Sequence, residues 1–187
     1  FFCAHCNASG VCVQTFLVCK ISHFIAYILH SFFGVVGELC LFNEIIHGTQ
    51  YYRTPTPTPS EWEGDIERME EFNIDAFQIR MNWRWNERKE DEYDFSDVDK
   101  LLELAEKNGR KVMMKFLLEC APQYIYEKYN GTRIGPKGEK LRPGAHGAFY
   151  GGWLPCFTNP KVLERALKFV EVTAKRYAGH PNIILWN

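Results

Sequence analysis

Arg53, Arg80, Trp83 and Glu119 stand at or just past the ends of β-prone runs, where a strand hands over to a loop. Guanidinium and carboxylate groups hydrogen-bond hydroxyls in a fork geometry, and an indole offers a flat apolar face. Together they suit a small polyhydroxylated ligand. The plainer alternative for each is packing. Arg80 alternates with apolar Ile79 and Met81 and could pair with a core carboxylate, and a Trp in a strand–helix loop packs more often than it binds. The other reactive side chains form no set. Cys3-Ala4-His5-Cys6 has the spacing of one metal-ligand pair, but no second pair follows at zinc-finger distance. His146 and His180 lack neighbours at ligand spacing and read as surface or capping histidines. Glu70-Glu71 and Glu90-Asp91-Glu92 read as solvated faces. Asn130-Gly131-Thr132 fits a glycosylation sequon, meaningful only in a secreted chain. No metal or cofactor is expected.

The elements that must position these residues follow from His47 onward. HGTQYY is a short β-prone run, and the prolines of Thr54-Pro55-Thr56-Pro57-Thr58-Pro59 end it. Ser60, three residues before Glu63, has the spacing of a capping box. The helix it opens sets Trp62, Ile66, Met69 and Phe72 on one face. AFQIRMNW is the second strand. Ser96 opens a second helix with Val98, Leu101, Leu102 and Ala105 inward, ended by Asn108-Gly109. KVMMKFLL reads as a strand buried on both faces. Asn159-Pro160 starts a third helix whose apolar face is Leu163, Ala166, Leu167, Val170, Ala174 and Tyr177. NIILW is the fourth strand. This alternation predicts parallel strands near 48–52, 76–82, 111–118 and 182–186. About forty residues rich in Gly, Pro and aromatics separate Leu118 from Asn159. A long loop after a strand's C-terminal end is where a (β/α)8 barrel builds its site. A doubly wound nucleotide-binding sheet would want a Gly-rich phosphate turn after the first strand, and here that turn is TPTPTP. The barrel is favoured.

Composition divides the chain. Its 187 residues carry 22 Lys+Arg and 23 Asp+Glu, a net charge of −1 that gives no reason to expect nucleic acid or an anionic membrane as partner. Phe1 to Phe42 contain only Lys20 and Glu38 as charges, together with five of the seven cysteines. Cys120 and Cys156 remain for the body, which is no disulfide framework. Ile21 to Gly37 is uncharged for 17 residues, at the lower limit of a membrane span. Residues 1–42 therefore read as a segment outside the folded domain, either targeting or membrane sequence or sequence foreign to it. Residues 43–187 read as the domain. If 1–42 is not a targeting segment, a cytoplasmic location is favoured.

Three stretches resemble the opening of the β-galactosidases of glycoside hydrolase family 42, in clan A. GTQYYRTPTPTPSEWEGDIERM is similar to that family's Gly-x-x-Tyr-Tyr, prolines, then Trp-x-x-Asp, here Trp62 and Asp65. WRWNERKEDEYDF resembles its Trp-x3-Glu-Pro-x2-Gly-x-Tyr-Asp-Phe, with Arg88 at the proline and Asp91 at the glycine. Arg80 stands three residues before Trp83, closer than the family pattern, so the tip of the second strand is expected to be short. RYAGHPNIILWN resembles the segment leading to the acid/base. The resemblance covers about residues 46 to 187 and implies the N-terminal half of a (β/α)8 barrel, ending after strand 4.

The function it implies is retaining hydrolysis of terminal β-D-galactosides, in carbohydrate metabolism. That chemistry needs two carboxylates, nucleophile and acid/base, about 5–5.5 Å apart. The resemblance puts both beyond Asn187, so no catalytic residue is assigned within the chain, and the fragment alone is expected to be inactive. Arg53, Arg80, Trp83 and Glu119 become the candidate substrate-binding residues. Cys156 aligns with a cysteine that joins a zinc cluster in some members, but the other cysteines would lie past residue 187, and no metal is assigned. The implied partner is a carbohydrate, with a longer parent that could form homo-oligomers. Other readings stay open: a cellulase- or mannanase-like clan-A β-glycanase, or a non-catalytic carbohydrate-binding barrel.

Overall fold

The computed structural model describes residues 4–6, 12–14, 46–142 and 153–187. The uncharged window 21–37, His146 and the rest of the loop stretch 143–152 lie outside them. The described elements are β1 (Ala4–Cys6), β2 (Cys12–Gln14), β3 (Gly48–Arg53), α1 (Pro59–Arg68), β4 (Ala76–Asn82), α2 (Trp83–Asn86), α3 (Ser96–Lys107), β5 (Lys111–Leu117), α4 (Gln123–Tyr129), α5 (Pro160–Tyr177) and β6 (Ile183–Trp186). β1 and β2 pair antiparallel in a two-stranded sheet of their own. The main sheet has the order β3-β4-β5-β6, every neighbouring pair parallel. These are the four strands expected from the sequence, in chain order.

Parity along β4 separates the two faces of this sheet. Successive strand residues point to opposite sides. Phe77, Ile79 and Met81 are nearly inaccessible and join the core under the helices. Ala76, Gln78, Arg80 and Asn82 therefore share the opposite face. In β5, Val112 and Met114 belong to the helix-side core, so Met113, Lys115 and Leu117 turn the other way. β5 is buried on both faces as expected, Val112 and Met114 on one and Met113 and Leu117 on the other, with half-buried Lys115 between the latter two. Across the bottom of that face a Cβ on Gly48 would lie 3.2 Å from the Ala76 carbonyl and 3.3 Å from Met113 Cε, so β3 and β5 side chains pack closely around a residue without one.

Three details differ from the sequence expectations. The capping box opens two residues early, with Thr58 rather than Ser60: Thr58 N–H donates to Glu61 Oε2 at 2.8 Å, and Pro59 takes the first helical position. α1 ends at Arg68, so Phe72 falls in the following turn and is 58% exposed while Ile74 is buried. The long loop is partly structured. α4 forms after Pro122, and the bridges Thr132↔Pro155 and Ile134↔Lys140 draw its arms together.

A fourth departure is the rotation of α5. Its buried residues are Val162, Arg165, Ala166, Phe169, Thr173 and Tyr177, whereas Leu163 and Leu167 are 43% and 59% exposed. Arg165 is the cause. Its Nη2 donates to Glu87 Oε1 at 2.5 Å and to Asp91 Oδ1 at 2.8 Å. Glu87 is fully buried, and it also accepts from Trp83 Nε1 at 2.7 Å and from the Asp91 backbone N–H at 3.0 Å. A buried carboxylate is tolerated only when paired and hydrogen-bonded. The helix turns its arginine, not Leu163 and Leu167, toward the core. The acidic run is accordingly more than a solvated face. Asp91 also takes Lys168 at 2.6 Å, and Glu90 accepts from Tyr129 Oη at 2.5 Å and from Lys128. Asp91 has φ 64°, the left-handed region where the family pattern has glycine.

Candidate functional site

The face turned away from the helices gathers most of the expected site residues. Arg53 is in register with Arg80, and Arg80 with Lys115, so three cations form a row across β3, β4 and β5. Arg80 Nε donates to Gln78 Oε1 at 3.2 Å, and its Nη2 donates to Gln50. The expectation of a core carboxylate for Arg80 is replaced by two neutral amides. Gln50, Arg53 and Arg80 line a cavity of about 460 Å³ together with Tyr51, Tyr52 and Thr56. Tyr51 and Tyr52 are anchored from the helix side, donating to Asp65 Oδ2 at 3.0 Å and Asp97 Oδ2 at 2.5 Å.

Trp83 leaves this group. It lies one odd step beyond Met81, on the helix side of β4, where it is inaccessible. Its indole N–H is spent on Glu87, and its ring stacks on Phe169 at 6.2 Å. A ring buried under a helix has no face for a ligand, so Trp83 is packing. The short spacing from Arg80 explains the outcome. β4 runs into α2 at Trp83 with no intervening loop to lift the indole to the rim.

Glu119 follows the end of β5 and is half-buried. Its surroundings are set by the turn between β4 and α2. The Arg84 backbone N–H donates to the Cys120 carbonyl at 2.7 Å, and its Nε donates to the Ala121 carbonyl at 2.8 Å. Burial pushes the Cys120 thiol up to about 12, with the Glu119 charge adding to the shift and Arg84 and Arg53 opposing it. A thiol so held is no nucleophile. Asn82 is nearly buried near this rim, and its Oδ1 has no hydrogen-bond partner among the described residues. Cys156 accepts or donates with Thr158 Oγ1 at 3.1 Å, an interaction that lowers its thiol, and no metal-ligating cluster occurs among the described residues.

The sequence reading missed Gln50, Gln78, Asn82 and Lys115. A signal for three of them was available. Gln78, Arg80 and Asn82 are spaced by two between apolar residues, the period of a strand with one polar face.

Four consecutive parallel strands joined by helical crossovers, with a polar face opposite the helices and strand ends gathered at one rim, have the layout of the first half of a (β/α)8 barrel, the fold of its glycoside hydrolase neighbours. The particular family follows from the sequence: residues 50–187 match glycoside hydrolase family 42, described as Beta-galactosidase, and the chain belongs to it. It is 24% identical over 130 residues to Beta-galactosidase LacZ of Heyndrickxia coagulans, covering 68% of this chain and 19% of that one. It is 26% identical over 152 residues to Beta-galactosidase BglY of Alicyclobacillus acidocaldarius, covering 76% and 20%. Among solved structures, a β-galactosidase from Bacillus circulans sp. alkalophilus superposes with a TM-score of 0.65 at 23% identity, over 76% of this chain and 20% of that one. The β-galactosidase from Rahnella sp. R3 gives 0.60 at 26% identity, over 69% and 18%. The chain thus spans about a fifth of the length of these relatives. No helix among the described residues is long and apolar enough to cross a membrane.

Proposed function

We propose that residues 43–187 form the substrate-recognising half of a retaining β-galactosidase barrel that hydrolyses terminal β-D-galactosides, with residues 1–42 outside the barrel. The observation that carries this reading is the family match over residues 50–187, with Arg53 and Arg80 in register beside one cavity at the strands' C-terminal ends. Arg53 and Arg80 hold sugar hydroxyls there, and Glu119 and Asn82 contribute from the neighbouring strand ends. The nucleophile and acid/base are supplied by carboxylates outside this sequence. The partner is a carbohydrate rather than nucleic acid, and a parent enzyme of this family can assemble as a homo-oligomer.

The test is a galactose titration of the chain followed by NMR. Shifts confined to Arg53, Arg80, Asn82, Glu119 and their strand neighbours are expected. Shifts scattered over α5, or none at saturating sugar, would refute the assignment.

A further inference from the structure

β3 does not alternate regularly along its length. It pairs Gly48 with Ala76, Thr49 with Phe77 and Gln50 with Gln78, then skips Tyr51, so that Tyr52 meets Ile79 and Arg53 meets Arg80. The neighbouring pairing of β4 with β5 is unbroken from Ala76↔Lys111 to Asn82↔Leu117. Two residues of one strand set against one of its partner form a β-bulge, which re-aims the side chains beyond it. In a regular strand Gln50 and Arg53, three residues apart, would point to opposite faces. Here both share the inner face with Arg80. Without the bulge Tyr52 would lie opposite Arg80, and Arg53 would lie opposite Met81 in the helix-side core.

Tyr52 has most to lose in that alternative. It is 2% exposed, and its ring meets Trp62 edge-on at 5.4 Å. Its hydroxyl donates to Asp97 Oδ2 and accepts from Thr54 Oγ1 at 3.2 Å. The unbulged register would give up these contacts and carry a guanidinium into the core, where a charge is costly. We infer that Tyr52 is a positioning residue for sugar recognition: its hold on the helix side imposes the bulge at Tyr51 and thereby turns Arg53 onto the face of Gln50 and Arg80. The inference rests on the recognition reading above and extends it to what orients Arg53.

The test is NMR on the whole chain, first without sugar and then with galactose. In the sugar-free chain, interstrand NOEs should join Tyr52 to Ile79 and Arg53 to Arg80. NOEs joining Tyr51 to Ile79 and Tyr52 to Arg80 would overturn the inference. On titration the Nε–H signals of Arg53 and Arg80 should both shift. Tyr52→Gln should abolish the Arg53–Arg80 NOE and the Arg53 shift while keeping the Arg80 shift. It should weaken binding by about 10- to 100-fold, the factor one hydrogen bond to a charged group supplies. Deleting Tyr51 from the same variant should restore the NOE, the shift and the affinity, because plain alternation then sets Arg53 opposite Arg80 with no bulge to hold. A purely structural role for Tyr52 predicts no such rescue. Should Tyr52→Gln not fold, Tyr52→Phe with and without the deletion decides, since it keeps the ring on Trp62 and drops only the hold on Asp97. An undiminished Arg53 NOE and shift in the Tyr52 variant, or no recovery on deletion, overturns the inference. If the unsubstituted chain does not respond to galactose, the recognition reading fails, while the sugar-free NOEs still decide whether Tyr52 orients Arg53.

Discussion

Glu87 carries its carboxylate where solvent does not reach, and Arg165 is the cation that makes this tolerable. Replacing one member of a buried pair strands the other, at a cost of about 3–5 kcal/mol, while replacing both by well-packed neutral groups is far milder. Arg165→Met should therefore lower the stability of the chain by that amount in urea unfolding, and Glu87→Gln with Arg165→Met should recover much of it. An Arg165→Met chain as stable as the parent would contradict the network. Asp91 supplies a pH signature at the same spot. Hydrogen bonds from Arg165 and then Lys168 hold its carboxyl at about 2, against an ordinary 3.8. Because the folded value is depressed, its contribution is present above the unfolded value and is lost as pH falls from about 4 toward 2. The side chain is 50% exposed, so the effect is modest. Asp91→Asn should flatten the unfolding midpoint across that window, with its deficit against the parent largest at neutral pH and shrinking as pH falls toward 2.

At the scale of elements, α5 separates two predictions that the sequence alone would merge. Leu163 and Leu167 look like core by periodicity but are exposed, while Val162 and Phe169 are fully buried. Phe169→Ala should cost about 3–5 kcal/mol, and Leu167→Gln should change stability by less than about 0.5 kcal/mol, both read by thermal unfolding of the chain. Hydrophobic spacing placed this helix, its Asn159 cap and its Tyr177 end, because those depend on local chemistry. It missed the rotation because that is decided by a residue 78 positions away, through the Arg165–Glu87 pair. The same limit applies to the site. Arg80 could be placed by its position at a strand end, whereas Trp83 was misassigned because its side of the sheet follows from parity along β4. α4 was hidden in a Gly- and Pro-rich stretch whose helix, Gln123–Tyr129, is too short for a clear period.

At the scale of the molecule, the two faces of the sheet have different fates. Val112 and Met114 are inaccessible beneath the helices. Leu185, facing the other way on β6, is 41% exposed. β3 and β6 end the main sheet, and such strands offer backbone groups for pairing with another chain. With Leu163 and Leu167 also exposed, the chain should self-associate as concentration rises, seen as a rising mass in light scattering. A monomer at all concentrations would contradict this.

The central proposal is that this chain supplies the recognition face of a β-galactosidase barrel and that the catalytic pair comes from elsewhere in the barrel. General acid–base help alone is worth about 10²- to 10⁴-fold, and the covalent route needs a nucleophile as well. The direct measurement is hydrolysis of a chromogenic β-galactoside by the purified 187-residue chain. The account predicts no turnover above the uncatalysed rate, at any pH where the chain is folded. Turnover that scales with chain concentration and survives further purification would contradict it, and would place both carboxylates within residues assigned here to structure or binding.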